Sequence, residues 1–491
     1  MPRSFAYLAV LVSACGLAPG AARAASPAYV VAPVTGVTYT GTLLLNRWGQ
    51  VAGTGITGAA PVLWTPSIAN GPTGKILNLS TQPGFPANAQ PSFPGSVAAI
   101  NDRGQVTGSA HVSSGGDANG TVTFLWTPKT LNSLAGVLHG GAGKVTAFAQ
   151  VNAGSFALAP YPHSINNLGQ ISASGAYYVP ELFTPTAANT GAGNWTFDSS
   201  ISVSNFYIND AGTVGGSAYG GDFPDNGHNH AFEQASFPGF TNAALIVDAN
   251  WQAMTNSAVL GLNAAGDAII SAEPTTDNEM HSFLDKGGVI TDISGDESTP
   301  AAINNSDMVV GGHVVNGGEV AYVFGNGVRT DLPTVIPATV NGNGFVIDAF
   351  PAGLNDRGQI LITGNDGAGD SVFLLTPAAE IIGKQPAVVN GALHPAGAGQ
   401  FKRTVTVKNT TSLPLSGTVS VAFDRLPAGV SIPASTTATQ FAGPAGSPVV
   451  DVSVTDLAAG ASAPAVTVVF TAPSAASIKY TARVLTSNAP R

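Results

Sequence analysis

Apolar and polar positions along this chain alternate in short runs, and one recurring phrase punctuates them. Aliphatic residues flank an Asn-x-x-Gly-Gln core in Leu45-Asn46-Arg47-Trp48-Gly49-Gln50-Val51 and Ile100-Asn101-Asp102-Arg103-Gly104-Gln105-Val106. Ile165-Asn166-Asn167-Leu168-Gly169-Gln170-Ile171 and Leu354-Asn355-Asp356-Arg357-Gly358-Gln359-Ile360 repeat it. Looser copies begin at Ile208, Leu262 and Ile303, the last without its glycine. Asn folds its side chain onto the backbone two residues ahead, and Gly accepts the positive φ that closes a turn. Each copy therefore predicts a tight hairpin, one strand ending before the Asn and another starting after the Gln. A third strand follows in Val62-Leu63-Trp64-Thr65-Pro66, Phe124-Leu125-Trp126-Thr127-Pro128 and Glu181-Leu182-Phe183-Thr184-Pro185, with counterparts in the later copies. A fourth is predicted at 76–79, 289–293 and 328–332.

The seven asparagines lie 55, 65, 43, 54, 41 and 51 residues apart. That is the size of a four-stranded propeller blade, whereas solenoid coils repeat at about 20 to 30 residues. Seven such units can close into a ring with only short, protected sheet edges. Residues 29–44 are the candidate for the strand that completes the last blade. The expected fold is all-β, a seven-bladed β-propeller over residues 28–383, with an open stack of sheets or a β-solenoid as the competing architecture. Ala264-Ala265 and Ser306-Asp307 weaken the fifth and sixth turns; either those blades are irregular or the count is off by one.

Repetition stops near Ile382, and a Gly-, Ala- and Pro-rich stretch places a linker at 384–399. Alternation resumes in Phe401-Lys402-Arg403-Thr404-Val405-Thr406-Val407 and Gly417-Thr418-Val419-Ser420-Val421-Ala422-Phe423, with later strands at 449–454, 466–470 and 478–484. Six or seven strands in about 100 residues predict an immunoglobulin-like β-sandwich over 400–491.

The repeated phrase and its aromatic strand resemble the HAF-type extracellular repeat, over residues 29–382. That resemblance implies a bacterial, exported protein, and the family supplies no catalytic residues to transfer. Arg425-Leu426-Pro427-Ala428-Gly429-Val430 and Leu457-Ala458-Ala459-Gly460-Ala461-Ser462 resemble NEW3-like and fibronectin-like accessory modules, which implies a spacer or binding appendage.

Residues 1–24 read as a cleaved signal peptide: Arg3, an apolar run over 5–12, and Ala22-Arg23-Ala24. Secretion is the expected localisation. The alternative is lipid anchoring, because Val12-Ser13-Ala14-Cys15 fits a lipoprotein cleavage pattern with acylated Cys15 as the first mature residue. Cys15 is the only cysteine, so no disulfide forms within the chain. No later apolar run approaches the roughly 20 residues a transmembrane span needs.

From Ala25 to Gly383 there are 25 acidic and 8 basic residues, and from Lys384 onward 3 acidic and 8 basic. An acidic main body argues against nucleic acid as a partner. It is compatible with divalent cations, neutral sugars or basic partners, and it also serves solubility.

Gly53-Thr54-Gly55-Ile56-Thr57-Gly58 matches a dinucleotide fingerprint in letters only, since a strand rather than a helix is predicted to follow. No nucleophile elbow, His-Glu-x-x-His pair or Walker loop occurs. Asp222, Asp225, His228 and His230 form the densest set of metal-ligand types, within what is equally ordinary turn vocabulary. Asn365-Asp366-Gly367-Ala368-Gly369-Asp370 offers oxygens to calcium but lacks a complete EF-hand pattern. No cofactor is therefore expected, with calcium the ion to test. Asp102, Asp210 and Asp356 share one repeat slot and are expected to stabilise their own turns. Trp64 and Trp126 belong to core strands, which leaves Trp195 and Trp251 as the candidates for stacking on sugars.

These features point to a secreted, non-enzymatic extracellular or cell-surface binding and adhesion module, with a glycan or protein as partner. One alternative is a secreted propeller hydrolase or lyase acting on polysaccharide, its carboxylates converging from separate blades. Another is a structural component of an envelope or matrix.

Overall fold

The computed structural model describes residues 27–486 apart from 39, 57–59, 91–93, 114–119, 135, 149–158, 220–227, 241–253, 275–278, 341, 348–350, 382–384, 434 and 436. The segment expected to be a signal peptide, with Cys15, lies outside the described residues, as do Asp222, Asp225 and Trp251.

The protein is all-β, built of antiparallel sheets that are mostly four-stranded. The first sheet runs Leu44–Leu45, Val51–Thr54, Pro61–Pro66, Gly74–Asn78, and the second Gly95–Ile100, Val106–His111, Thr121–Pro128, Gly143–Phe148. The third, fifth and sixth sheets repeat this four-strand order within residues 161–197, 254–292 and 298–331. The fourth holds Val203–Ile208, Val214–Ala218 and His230–Gln234. In every case the Asn phrase links the first strand to the second. The seventh sheet is composite: Ile360–Asn365 and Asp370–Pro377 are joined by Tyr29–Pro33 from the chain's start, Tyr29 opposite Pro377. Residues 340 to 348 positions apart in sequence thus share one ladder, and the free edge of Asp370–Pro377 is covered.

The fifth and sixth copies keep their four strands despite their weakened turns. Gly266 holds φ at +92°, and Asp307 takes the glycine slot of the sixth copy at φ +58°. Asp tolerates the left-handed region better than most side chains, which is why the turn survives. Two fourth strands, Gly143–Phe148 and Gly193–Phe197, were not expected from the sequence.

Alternation puts one face of each strand against the neighbouring sheet. Trp64, Trp126 and Phe183 occupy one register position, opposite Val51, Val106 and Ile171, and are fully buried. An aromatic side chain buries roughly 150–250 Å², so this one slot dominates the packing between units. Trp195, expected as a free stacking platform, is instead half-buried against Phe148 and Phe183, at centroid distances of 5.6 and 5.4 Å. It faces inward because it pairs with Phe183 across the strand and shares its face.

Beyond residue 386 two further sheets share one core that includes Val407, Val421, Phe470 and Val484. One sheet contains Ala387–Asn390, His394–Gly397, Gln400–Lys408 and Val466–Thr471; the other contains Thr437–Ala438, Pro448–Ser453, Val419–Asp424 and Thr481–Thr486. The stretch expected as a linker therefore carries two strands. Its Gly and Pro residues lie at the turn and at a register shift, while Val388 and Val389 supply ladder positions on Gln400–Lys408. This C-terminal part meets the seventh sheet directly: Phe441 joins the core around Tyr29 and Phe373, its ring 5.7 Å from Tyr29 in an edge contact. Gly358 is held at φ +77° with the Phe441 carbonyl against it, so any side chain there collides with backbone. Gly358→Ala is expected to cost about 2 kcal/mol, seen as a lower denaturation midpoint with an unchanged slope.

Candidate functional site

Each repeat asparagine serves two neighbourhoods. Its Oδ1 accepts main-chain N–H groups from within its own turn, as in Asn46 from Trp48 (3.1 Å) and Gln50 (3.0 Å), and Asn355 from Arg357 (3.0 Å) and Gln359 (3.1 Å). Its Nδ2 points outward and donates to the carbonyl of the next copy's asparagine. The links run from Asn46 to Asn101 (3.0 Å), Asn101 to Asn166 (2.8 Å), Asn166 to Asn209 (3.0 Å) and Asn209 to Asn263 (3.0 Å). They continue from Asn263 to Asn304 (3.5 Å) and Asn304 to Asn355 (3.0 Å), and Asn355 returns to Asn46 at 3.3 Å. The seven asparagines thus form a closed cycle of hydrogen bonds, and all seven copies line one cavity of about 190 Å³.

Gln completes the phrase by reaching the third strand. Gln50, Gln105 and Gln359 donate to the hydroxyls of Thr65, Thr127 and Thr376 at 3.0, 3.0 and 2.8 Å. This explains why the Gln of the turn and the Thr-Pro of the aromatic strand recur together.

The slot after Asn does not stabilise its own turn, contrary to expectation. Asp102 accepts from the Arg47 N–H (3.0 Å), Asn167 from Asp102 (2.8 Å), Asp210 from Asn167 (2.7 Å), Asn305 from Ala264 (2.7 Å) and Asp356 from Asn305 (3.0 Å). A side chain in this slot reaches back to the preceding copy because its own turn is already satisfied by the asparagine before it. The series skips where the slot holds Ala264 or Arg47, which have no acceptor; Arg47 sits 3.8 Å from the Asp356 carboxylate instead. Burial pushes the Asp102 carboxyl up from its ordinary value, opposed by the Arg47 N–H and Asn167. The three aspartates are thereby committed to joining copies.

Of the metal candidates, His228 and His230 lie among the described residues. His230 opens the strand His230–Gln234 opposite Ala218, and His228 Nδ1 is buried without a hydrogen-bond partner. No group of three His, Cys, Asp or Glu side chains placed to hold a metal occurs among the described residues. In the loop at 365–370, Asn365 accepts from the Gly367 N–H and donates to Asp370, both at 2.8 Å, so its amide is spent on closing the hairpin. Val51–Thr54 pairs antiparallel with Pro61–Pro66, so the glycine-rich match begins inside a strand, and the next element among the described residues is another strand rather than the helix a pyrophosphate needs.

The opposite end of the third sheet carries a feature the sequence reading missed. Between Ile171–Ser174 and Pro180–Pro185, Tyr177 and Tyr178 adopt φ +56° and +61°, and are 67% and 60% exposed. Bulky side chains in that region are strained, and such outliers concentrate at functional sites. Tyr161, Phe197 and Tyr219 are also exposed, and strand direction places all of them at this same end. Beneath the hairpin lies Glu181, only 1% exposed, with Oε2 lacking any hydrogen-bond partner. Gly175 covers its carboxyl so closely that a side chain there would overlap it. The missed signal was local: Glu181 stands where the first two units have Val62 and Phe124.

Burial pushes the Glu181 carboxyl up to about 7 from 4.5. The folded chain therefore keeps a proton that the unfolded chain releases, and the associated stability is full below pH 4.5 and lost as pH rises through about 7. Glu181→Gln is expected to remove that slope and to gain about 1–2 kcal/mol above neutrality, measured as unfolding midpoints across pH. On the neighbouring strand Tyr161–Ile165, burial pulls His163 down to about 4, with its Nε2 2.9 Å from Ser174 Oγ.

Fold and site together define an all-β repeat protein with one end knit by side-chain amides and the other displaying hairpin loops. No family model matches the chain, and no curated protein matches it. Among solved structures it is similar to the crystal structure of the WD40 domain of SCAP from fission yeast, at 9% identity and a TM-score of 0.31, covering 71% of this chain and 98% of that one. Among the described residues no helix is long and apolar enough to cross a membrane.

Proposed function

We propose that this protein is a secreted, non-enzymatic binding and adhesion module: a seven-bladed β-propeller of HAF-type repeats over 28–383, followed by a NEW3-like, immunoglobulin-like sandwich. The observation that carries the reading is the closed asparagine cycle. It spends the repeated polar groups of one end on holding the units together, so recognition falls to the hairpin loops of the other end. There Tyr177 and Tyr178 offer large, rigid, amphipathic area at low entropic cost, suited to an extracellular glycan or protein surface.

The test is a glycan-array and cell-binding screen of the mature protein, run with calcium and with chelator, beside a Tyr177→Ala/Tyr178→Ala variant. Binding by the parent that falls about tenfold or more in the variant is the expected result. Silence toward every glycan and cell type would sink the reading and favour a structural role, and turnover of a bound polysaccharide would favour the hydrolase.

A further inference from the structure

Ion pairing divides the cations of the repeat region into two groups. Arg47, Lys286, Arg329 and Arg357 each face a carboxylate, on Asp356, Asp307, Asp296 and Glu380 respectively. Lys75, Arg103, Lys129 and Lys144 have no ion pair among the described residues, and all four belong to the first two units. The sequence is polarised in the same way. Residues 27–160 hold five basic and two acidic residues, whereas 161–383 hold three basic and 23 acidic. In so acidic a chain, four unspent positive charges on one pair of neighbouring units create a local positive field that the remaining units do not cancel at contact range.

Two of these lysines line one groove. Thr127 pairs with Lys144 across the strands and Pro128 with Gly143, so Thr127, Lys129, Lys144 and Thr146 share a face. That face forms one wall of a cavity of about 680 Å³, and the segment Asn189 to Ala192 of the third unit forms the other. Gly191 lies directly against the Thr146 side chain, where any larger residue would fill the space. The Thr127 hydroxyl is fixed by Gln105 at 3.0 Å, which anchors the groove to the second turn.

We propose that this groove binds an anionic polysaccharide, Lys129 and Lys144 taking its carboxylate or sulfate groups. Two ammonium groups on one threonine-bearing wall match a sugar polymer that carries both acid groups and hydroxyls. The inference goes beyond the tyrosine hairpin and rests on the reading of the protein as a binding module. The acidic units of a second copy are the rival occupant.

The experiment titrates the mature protein with polygalacturonate, dextran sulfate and neutral dextran at low and high salt. Its variants are Lys129→Ala/Lys144→Ala, the charge-preserving Lys129→Arg/Lys144→Arg, Lys402→Ala/Lys479→Ala on the C-terminal part, and Tyr177→Ala/Tyr178→Ala. Binding to either anionic polymer, weakened by salt, is expected to fall about tenfold per lysine removed in the first variant. It should persist in the other three. Preference for polygalacturonate or dextran sulfate tells carboxylate from sulfate recognition. Equal affinity for neutral dextran, or equal loss in the Lys402→Ala/Lys479→Ala control, would overturn the proposal. So would low-salt self-association abolished by the Lys129 and Lys144 changes, which would assign the groove to a second copy. Neutral-glycan binding lost only in the tyrosine variant would leave the proposed function standing while this inference fell.

Discussion

Asn355→Ala is expected to destabilise the protein by about 3 kcal/mol or more, an effect at the upper end for one truncation. The residue is 3% exposed and sits where the last copy meets the first, 309 positions away. Its Nδ2 supplies the Asn46 carbonyl, Asn70 Oδ1 (3.0 Å) and Gln359 Oε1 (2.9 Å), while its Oδ1 receives two main-chain N–H groups. Alanine removes every one of these partners at once. A buried polar group left unmatched costs about 1–3 kcal/mol, and relaxation or an entering water recovers only part of that. The complementary change runs the other way. Ala264→Asn restores an acceptor at a skipped slot, facing the Asp210 N–H, and should add about 0.5–1 kcal/mol. Equilibrium denaturation reads both. A loss below about 1 kcal/mol in Asn355→Ala would mean that water substitutes for the amide and that closure depends on apolar packing.

The contrast between those two changes also shows what the sequence made legible. The turn itself was readable because Asn46 Oδ1 bonds residues only two and four ahead, an interaction contained in one heptapeptide. The outward amide and the reach of Asp102 or Asp356 back to the preceding copy span 41 to 65 residues, or 309 at the closure. Local pattern carries no information about them. Gly143–Phe148 escaped because an outer strand is wet on much of its surface, so its apolar alternation is faint. Residues 387–397 looked like a linker because Gly and Pro were read without their ladder partners. Glu181 was different: its charge in an otherwise apolar slot was visible by aligning the copies, and only the buried, unpartnered oxygen made it significant. Trp195 failed for the opposite reason, because an aromatic residue gives no sign in sequence of which face of its strand is covered.

The second large effect is expected at the junction. Glu380→Ala should cost about 3–5 kcal/mol, the range for removing one partner of a buried ion pair. The Glu380 side chain is 2% exposed and accepts from Arg357 of the seventh turn and, at 2.7 Å, from Arg483 of the C-terminal part. Arg483 is itself 6% exposed and donates to Asp424 at 3.0 and 3.2 Å. Burial works against its charge, but Glu380 and Asp424 together hold its pKa above the usual arginine value. Removing Glu380 leaves the buried Arg483 with Asp424 alone, while the half-exposed Arg357 turns to solvent. Arg483→Met strands Glu380 and Asp424 in the same way and should cost a similar amount. The triple variant Glu380→Leu/Asp424→Leu/Arg483→Met should recover most of the loss, since apolar residues that replace a buried ionic group wholesale carry no desolvation penalty. Because Glu380 binds both parts of the chain, the single-residue variants should also separate their unfolding. Hydrogen exchange in Val419–Asp424 and Thr481–Thr486 should accelerate while the asparagine turns stay protected. If the turns lose protection in step with those strands, the coupling lies instead in the Phe441 and Tyr29 packing, and the ion pairs contribute to stability without joining the two parts.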